Sequence, residues 1–362
     1  GSNGSPLVVT FTSNANPTTV AALVHNLAYR NSNTTEPNTT PRTVSISMDD
    51  GAGGNSAVSE VTLNVLAVND APVVNLSASN PTYTENTSAV QLFSGATVNT
   101  VESGQKVIQM TFSVSGVANG AAEKLVIDGS DVTLINGTSL TTSNNSVTVT
   151  VSVTSGTANV TLSSGAGLDV ATVQTILNTM AYRNDSESPN TANRVVTLNT
   201  LSDNGGTDNG GIPTIAVGVA STVTVVGIND APVLAGGPYS LPSINEDTTS
   251  SGTLISTLLT NYTMVDPDVG ALRGIAVITK SGNGIWQYST DNANWTDFGA
   301  VSSTSALLLA STTYIRYVPD GANGETASLT FRGWDQTTGM ASVNGIRGTA
   351  DTSSNGGTTA FS

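Results

Sequence analysis

The chain contains no cysteine and a single histidine, His25. The first absence excludes disulfides, thiolate metal sites and cysteine nucleophiles together. The second excludes His-rich zinc sites and leaves one imidazole for any Ser–His–Asp arrangement. Lysine is nearly as scarce, limited to Lys106, Lys124 and Lys280. With 11 basic against 26 acidic side chains, the formal net charge is −15. Such a surface repels phosphate backbones and anionic lipid, so neither nucleic acid nor a membrane surface is an expected partner. No apolar run approaches the roughly 20 residues of a membrane span, and membrane insertion is not expected. The opening residues Gly1–Ser5 lack the charged-then-apolar layout of a signal peptide. An export signal is therefore expected outside this sequence.

What is present is Val and Thr with much Ser and Asn, punctuated by 36 Gly and 13 Pro. That composition favours strands over helices. At roughly 100–200 residues per domain, 362 residues admit two or three domains.

An internal repeat organises them. Val20–Asn31 (VAALVHNLAYRN) reappears as Val173–Asn184 (VQTILNTMAYRN). Both copies continue to Pro-Asn (Pro37-Asn38, Pro189-Asn190), to an Arg (Arg42, Arg194) and to an alternating strand, Thr43–Met48 or Val195–Leu201. Each strand enters an acidic, glycine-rich turn, Asp49–Gly54 or Ser202–Gly206, and a second strand then ends in Asn69-Asp70-Ala71-Pro72 or Asn229-Asp230-Ala231-Pro232. Tyr29 and Tyr182 are 153 residues apart, and Asn69 and Asn229 are 160 apart, so the repeat is a whole domain rather than a solenoid rung. The Asn-Asp-Ala-Pro sequences mark boundaries, dividing the chain into units at 1–74, 75–232 and 233–362. The first corresponds to the second half of the middle one. The third, which holds all three Trp residues, is expected to lack a last strand. Truncated phases at both ends are expected of either a piece of a longer array or open edges that pair with other copies.

Ser146–Thr154 and Ser221–Val226 alternate with period two, as half-buried strands do. Asn119-Gly120, Asp128-Gly129 and Asn136-Gly137 suit hairpin turns. Val20, Leu23, Val24 and Leu27 fall at helical spacing, as do Val173, Ile176, Leu177 and Met180. The fold class expected is all-β: tandem β-sandwich units of immunoglobulin type, each full repeat carrying one short helix.

Acidic side chains gather near the boundaries: Asp49, Asp50, Asn69, Asp70, Glu85 and Glu102 around the first, Asp203, Asn229, Asp230, Glu246, Asp247, Asp266 and Asp268 around the second. Calcium takes six to eight oxygen ligands, and short Asp, Asn and carbonyl donors in Gly-rich turns supply them. Asp230, Glu246 and Asp266-Pro267-Asp268 are able to converge at one junction, where unpaired like charges repel. Asp, Asn and Gly are also ordinary turn formers, and Asp49-Asp50-Gly51 and Asp203-Asn204-Gly205 read equally well as turns.

The Val-Asn-Asp-Ala-Pro-Val linker, a Glu early in each unit (Glu85, Glu246) and the later Asp-x-Asp together resemble the cadherin-like tandem domains of giant bacterial surface proteins and RTX-type adhesins. The resemblance covers nearly the whole chain. It implies calcium held between adjoining units by Asn69 and Asp70 at the first junction, and by Asn229, Asp230, Glu246, Asp266 and Asp268 at the second. The middle unit departs from the pattern, with Val101-Glu102-Ser103 in place of Asp-x-Asp. No glycine-rich calcium-binding nonapeptides occur.

The resemblance implies a non-enzymatic extender segment of a calcium-stiffened, secreted adhesin at the bacterial cell surface. Its partners would be neighbouring repeats or further copies of itself. Two alternatives stand beside it. One is a filament subunit completed by strand exchange between copies. The other is a glycan- or peptide-binding module in 233–362 using Trp286, Tyr288 and Trp295, although aromatics on sandwich strands also read as core. Catalysis is not expected: the repeat carries Asn178 where the first copy has His25, and the acids sit in turns rather than a cleft.

Overall fold

The computed structural model describes residues 5–322 and 324–362 and is all-β, with 40% of residues in strands and 8% in helices. Its N-terminal part holds helix α1 (Pro17–His25) and a hairpin of β1 (Arg42–Ile46) and β2 (Ser59–Leu63), with Val44 opposite Val61. The Asn16 side chain accepts from the Thr19 N–H, and Pro17 starts the first turn, so the helix begins where its cap dictates. None of its side chains is buried.

The middle unit carries β3 (Val73–Ala78), β4 (Thr82–Thr84), β5 (Val90–Gln91), β6 (Phe93–Asn99), β7 (Val107–Ser115), β8 (Glu123–Ile127) and β9 (Ser130–Thr133). There follow β10 (Ser139–Thr141), β11 (Thr148–Thr154), β12 (Thr157–Leu168), α2 (Val170–Thr179), β13 (Ala181–Asn184), β14 (Arg194–Asp203) and β15 (Thr214–Val226). A seven-stranded sheet runs β10-β11-β12-β7-β14-β15-β4, antiparallel except for β15 with β4. A four-stranded sheet, β5-β13-β8-β9, and the β3–β6 pair complete the unit. One core joins Met110, Phe112 and Val114 of β7 to Leu125 and Ile127 of β8 and to Val173, Ile176 and Leu177 of α2. Alternation thus predicted the buried face, and helical spacing predicted the face of α2.

Turn chemistry was only partly legible. Asp128-Gly129 does join β8 to β9, with φ of 50° and 76°, as a two-residue hairpin requires. Asn119-Gly120 instead opens a single 3-10 turn, and Asn136-Gly137 links β9 to β10, which do not pair with each other. Both asparagines spend their side chains on tertiary bonds. Asn119 Oδ1 accepts from Asn184, Asn190 and Arg194, and Asn136 Oδ1 accepts from the Val153 N–H. The Arg194 guanidinium and the Glu123 carboxylate form a fully buried ion pair at 2.7 Å beneath this hub.

The third unit contains β16 (Val233–Gly236), β17 (Thr253–Leu254), α3 (Ile255–Leu259), β18 (Tyr262–Val265), β19 (Gly274–Lys280), β20 (Ile285–Ser289) and β21 (Thr296–Asp297). It ends with β22 (Ala306–Ala310), β23 (Tyr314–Val318), β24 (Leu329–Trp334) and β25 (Thr349–Ala350). Sheets β17-β23-β20-β21 and β24-β19-β22-β25 enclose a core of its own. Strand β22 is buried on both faces, which explains its unbroken leucine run. Leu307 and Leu309 enter the main core, whereas Leu308 joins Trp334 and Phe361 in a second cluster. Phe361 pairs with Trp334 beside β24.

Candidate metal centre at the second junction

After β15 the chain passes through Gly227–Pro232 into β16. The Glu85 side chain, just past β4, is only 1% exposed. Its Oε2 accepts the Ile228 N–H at 2.8 Å, and its own N–H donates to the Val226 carbonyl. The linker is thereby pinned to the middle unit. From the other side, Asp268 Oδ2 accepts the Asp230 N–H at 2.8 Å, and Asp266 Oδ1 accepts the Asp268 N–H at 2.9 Å. The Asn229 amide donates to Asp335 Oδ2 at 2.9 Å and to the Thr359 carbonyl at 3.2 Å. Val269 N–H donates to Ser188 Oγ, a direct bond between the two units.

These bonds bring acids together. One carboxylate oxygen from each of Glu85, Glu187 and Asp230 lies within 4.8 Å of the others. Glu85 Oε1, Asp230 Oδ2 and Asp266 Oδ2 are buried and have no hydrogen-bond partner. No ion pair among the described residues involves any of these acids. Two unit charges at that separation repel by roughly 3 kcal/mol at an effective dielectric of about 20. The carboxyls respond accordingly. Burial, then the neighbouring Asp230, Asp268 and Glu187 charges, raises the Glu85 pKa above its ordinary value, against the Ile228 hydrogen bond. Burial also raises Asp230, helped by Glu187 and Asp268. Asp266 is raised by burial first and then by Asp268, Asp335 and Asp230.

The first junction repeats the backbone lock. The Asn69 amide donates to Asp203 Oδ1 at 3.1 Å, and Glu102 Oε1 accepts the Asp70 N–H at 2.7 Å. Glu102 thus stands where Asp268 stands in the third unit, and Asp203 stands where Asp335 does. Glu102 Oε2 and Asp203 Oδ2 are likewise buried and unpartnered. Gly205 must be glycine because a Cβ there would overlap the Asn69 side chain. Among the described residues, no comparable trio of converging carboxylate oxygens forms at the first junction.

Of the acids singled out from sequence, Glu85, Asn229, Asp230, Asp266 and Asp268 meet at the second junction, and Asn69, Asp70, Glu102 and Asp203 meet at the first. Glu85 and Asp203 thus sit at the opposite junctions from those expected, because Glu85 reaches the linker after its unit's last strand and Asp203 reaches the linker before that unit. Four others, Asp49, Asp50, Glu246 and the exposed Asp247, do not join either junction. Asp49 and Asp50 are exposed and close their own turn, Asp50 Oδ1 accepting from the N–H groups of Ala52 and Gly54. Glu246 is exposed and bonds to no junction residue among those described. Glu187 and Asp335 were missed. Asp335 was legible as the counterpart of Asp203, each lying at the C-terminal end of a strand, β24 or β14. Nothing in the repeat signalled Glu187.

The aromatic face also differs from the binding expectation. Trp286 and Tyr288 are buried in the core against Phe298, and the Trp286 indole N–H donates to Ser281 O. Their alternation on β20 aims both inward. Trp295 is half-buried, and the Arg316 guanidinium lies 4.1 Å over its ring. Among the described residues, no helix is long and apolar enough to cross a membrane. No protein-family model and no curated protein matches the chain.

Proposed function

We propose that this chain is a non-enzymatic structural segment whose β-sandwich units are coupled by a divalent cation, calcium, at the second junction. We place it in a secreted adhesin of cadherin-like type at the bacterial surface. The observation that carries the reading is the Glu85–Glu187–Asp230 triad, whose oxygens lie within 4.8 Å of one another with no positive partner. Glu85 Oε1 and Asp230 Oδ2 are buried without a donor, which is costly unless a cation compensates them, and Glu187 approaches them from the exposed side. An all-oxygen donor set suits a hard cation, and we choose calcium because it accepts a variable number of oxygen ligands where magnesium demands a near-ideal octahedron. Glu85, Glu187 and Asp230 would hold the ion, with Asp266 Oδ2 a further donor in the same junction. When bound, a divalent ion supplies the positive charge that cancels the repulsion and ties the linker to both units. Because the unfolded chain has no such site, stabilisation follows mass action, about 2.7 kcal/mol at a hundred times Kd.

Thermal unfolding of the full chain in calcium, in magnesium and in chelator tests this. Calcium is expected to raise the melting temperature of the third and middle units together, and Glu85→Gln to abolish most of the rise. Identical melting in calcium and chelator would remove the cation from the reading.

A further inference from the structure

Near its start and at its end, the middle unit runs two strands side by side. Strands β4 and β15 are parallel, with Thr82 beside Thr224 and Thr84 beside Val226. β4 forms the edge of the seven-stranded sheet, and β3, which precedes it, pairs with β6 instead. The contact reaches well past the three paired residues. Just ahead of β4, the Asn80 N–H donates to Ser221 Oγ at 3.2 Å, and Asn80 Oδ1 accepts the Thr222 N–H at 2.9 Å. The Thr224 N–H donates to the Pro81 carbonyl at 3.0 Å, and the Glu85 N–H to the Val226 carbonyl at 2.8 Å. Beyond both strands, Glu85 Oε2 accepts the Ile228 N–H at 2.8 Å. Asn80 has a φ of 48°, in the left-handed region that asparagine tolerates. Tyr83 fixes β4 to the core: it is 2% exposed, meets Tyr182 edge-on at 5.7 Å and donates its hydroxyl to the Asn184 carbonyl. On its far side β15 is held by β14.

Strand direction gives this pairing a mechanical consequence. Tension applied through the two linkers drags β4 towards its Thr82 end and β15 towards its Val226 end. In a parallel pair those ends lie at opposite limits of the contact, so the strands can separate only by sliding past each other. Every hydrogen bond between them then carries load at once. Were the same two strands antiparallel, both pulled ends would meet at one limit, and the bonds would open one after another. Forced unfolding is governed by the unfolding rate, and hence by the bonds that must break together before the unit opens.

We propose that the middle unit is built to bear tension: Asn80–Glu85 and Ser221–Ile228 form a shear clamp whose rupture limits its forced unfolding. The clamp consists of hydrogen bonds within the protein and does not need the cation. It therefore stands or falls separately from the metal reading, and the force measurement is made in chelator because Glu85 belongs to both.

Stretching the full chain by its two ends in an atomic force microscope tests this. One high-force event is expected to release the chain between Asn80 and Ile228, roughly 500 Å at about 3.4 Å per residue. Thr224 is exposed and lies past the β14 ladder, so Thr224→Pro deletes the N–H that Pro81 accepts and no bond to β14. That variant is expected to lower the peak force by roughly a third. Asn80→Gly keeps the left-handed turn and removes the side-chain bond to Thr222. It is expected to lower the force by less, with melting unchanged, and it carries the test if Thr224→Pro does not fold. Val132→Ala, a wholly buried change in β9 outside the clamp, is expected to lower the melting temperature and leave the force unchanged. The proposal is overturned if the unit opens without such an event, if the event releases a different length, or if force simply follows melting temperature across the variants.

Discussion

Helices α1 and α2 have the same apolar spacing and the same kind of polar residue before their first turn, yet they sit in different surroundings. Val173, Ile176 and Leu177 are wholly buried, whereas Val20, Leu23 and Val24 at the matching places of α1 are only half-covered. Local sequence sets the element: period, cap and proline act within a few residues of one another. Burial is set by what lies opposite, and for α2 that is chiefly β6 and β8. The same contrast runs through the arginines. Arg194 is buried against Glu123, while Arg42 donates to the carbonyls of Asn38 and Thr40 and lies 5.6 Å over the Tyr29 ring.

The sharpest way to break this comparison is to remove one half of the buried pair. Glu123→Ala leaves the Arg194 charge without a counterion in the core and also frees the N–H groups of Ala118 and Asn119 that Glu123 accepts. A loss of about 3–5 kcal/mol is expected in denaturant unfolding of the middle unit. Arg42→Met, at the corresponding place in the first unit, is expected to move stability by under about 0.5 kcal/mol. Equal effects would mean that the two arginines share an environment, and the unit-by-unit contrast would fail.

A smaller effect separates the helices. Ile176→Ala removes a fully buried side chain from a core that cannot collapse around it, and about 2–4 kcal/mol is expected. Leu23→Ala, at the matching place in α1, deletes a half-covered side chain, and under about 1 kcal/mol is expected. The same chemical melt of the two variants supplies both numbers.

How much of this was readable beforehand follows from range. The strands at 195–201 and 221–226, both helices and the repeat were legible, because each is written in spacing along a few residues. The Asn-Asp lock was legible as a motif, but its partners were not. Asn229 binds Asp335 across 106 residues, and Asn69 binds Asp203 across 134. Glu187 entered the triad through the loop after β13, where neither period nor motif marks it. The Trp286 and Tyr288 side chains were ambiguous for a different reason, since a strand pattern fixes that two residues share a face without saying which face is inside. Ser155-Gly156, which turns β11 into β12 with φ of 49° and 73°, passed unnoticed within an otherwise continuous alternating run.

The smallest expected effect compares the two junctions by pH. At the second junction Glu85, Asp230 and Asp266 all have folded-state pKa values above their ordinary ones. A carboxyl raised by folding binds more protons in the native than in the unfolded state between its two pKa values, so stability falls as pH rises through that window. In chelator, the third and middle units are therefore expected to gain melting temperature as pH is lowered from neutrality into the upper carboxylate range. The gain ends once the unfolded carboxyls are protonated too. Glu85→Gln removes the most buried of the three charges and is expected to flatten this slope. In calcium the sign should invert, because the ligands must be deprotonated to hold the ion, and acid then releases it. Glu102→Gln at the first junction, where no such trio of carboxylate oxygens converges among the described residues, is expected to leave both slopes unchanged. Calorimetry across pH on the two variants, with and without calcium, reads the difference directly. Identical slopes in the two variants would mean that the extra carboxylates of the second junction do not act as one electrostatic unit.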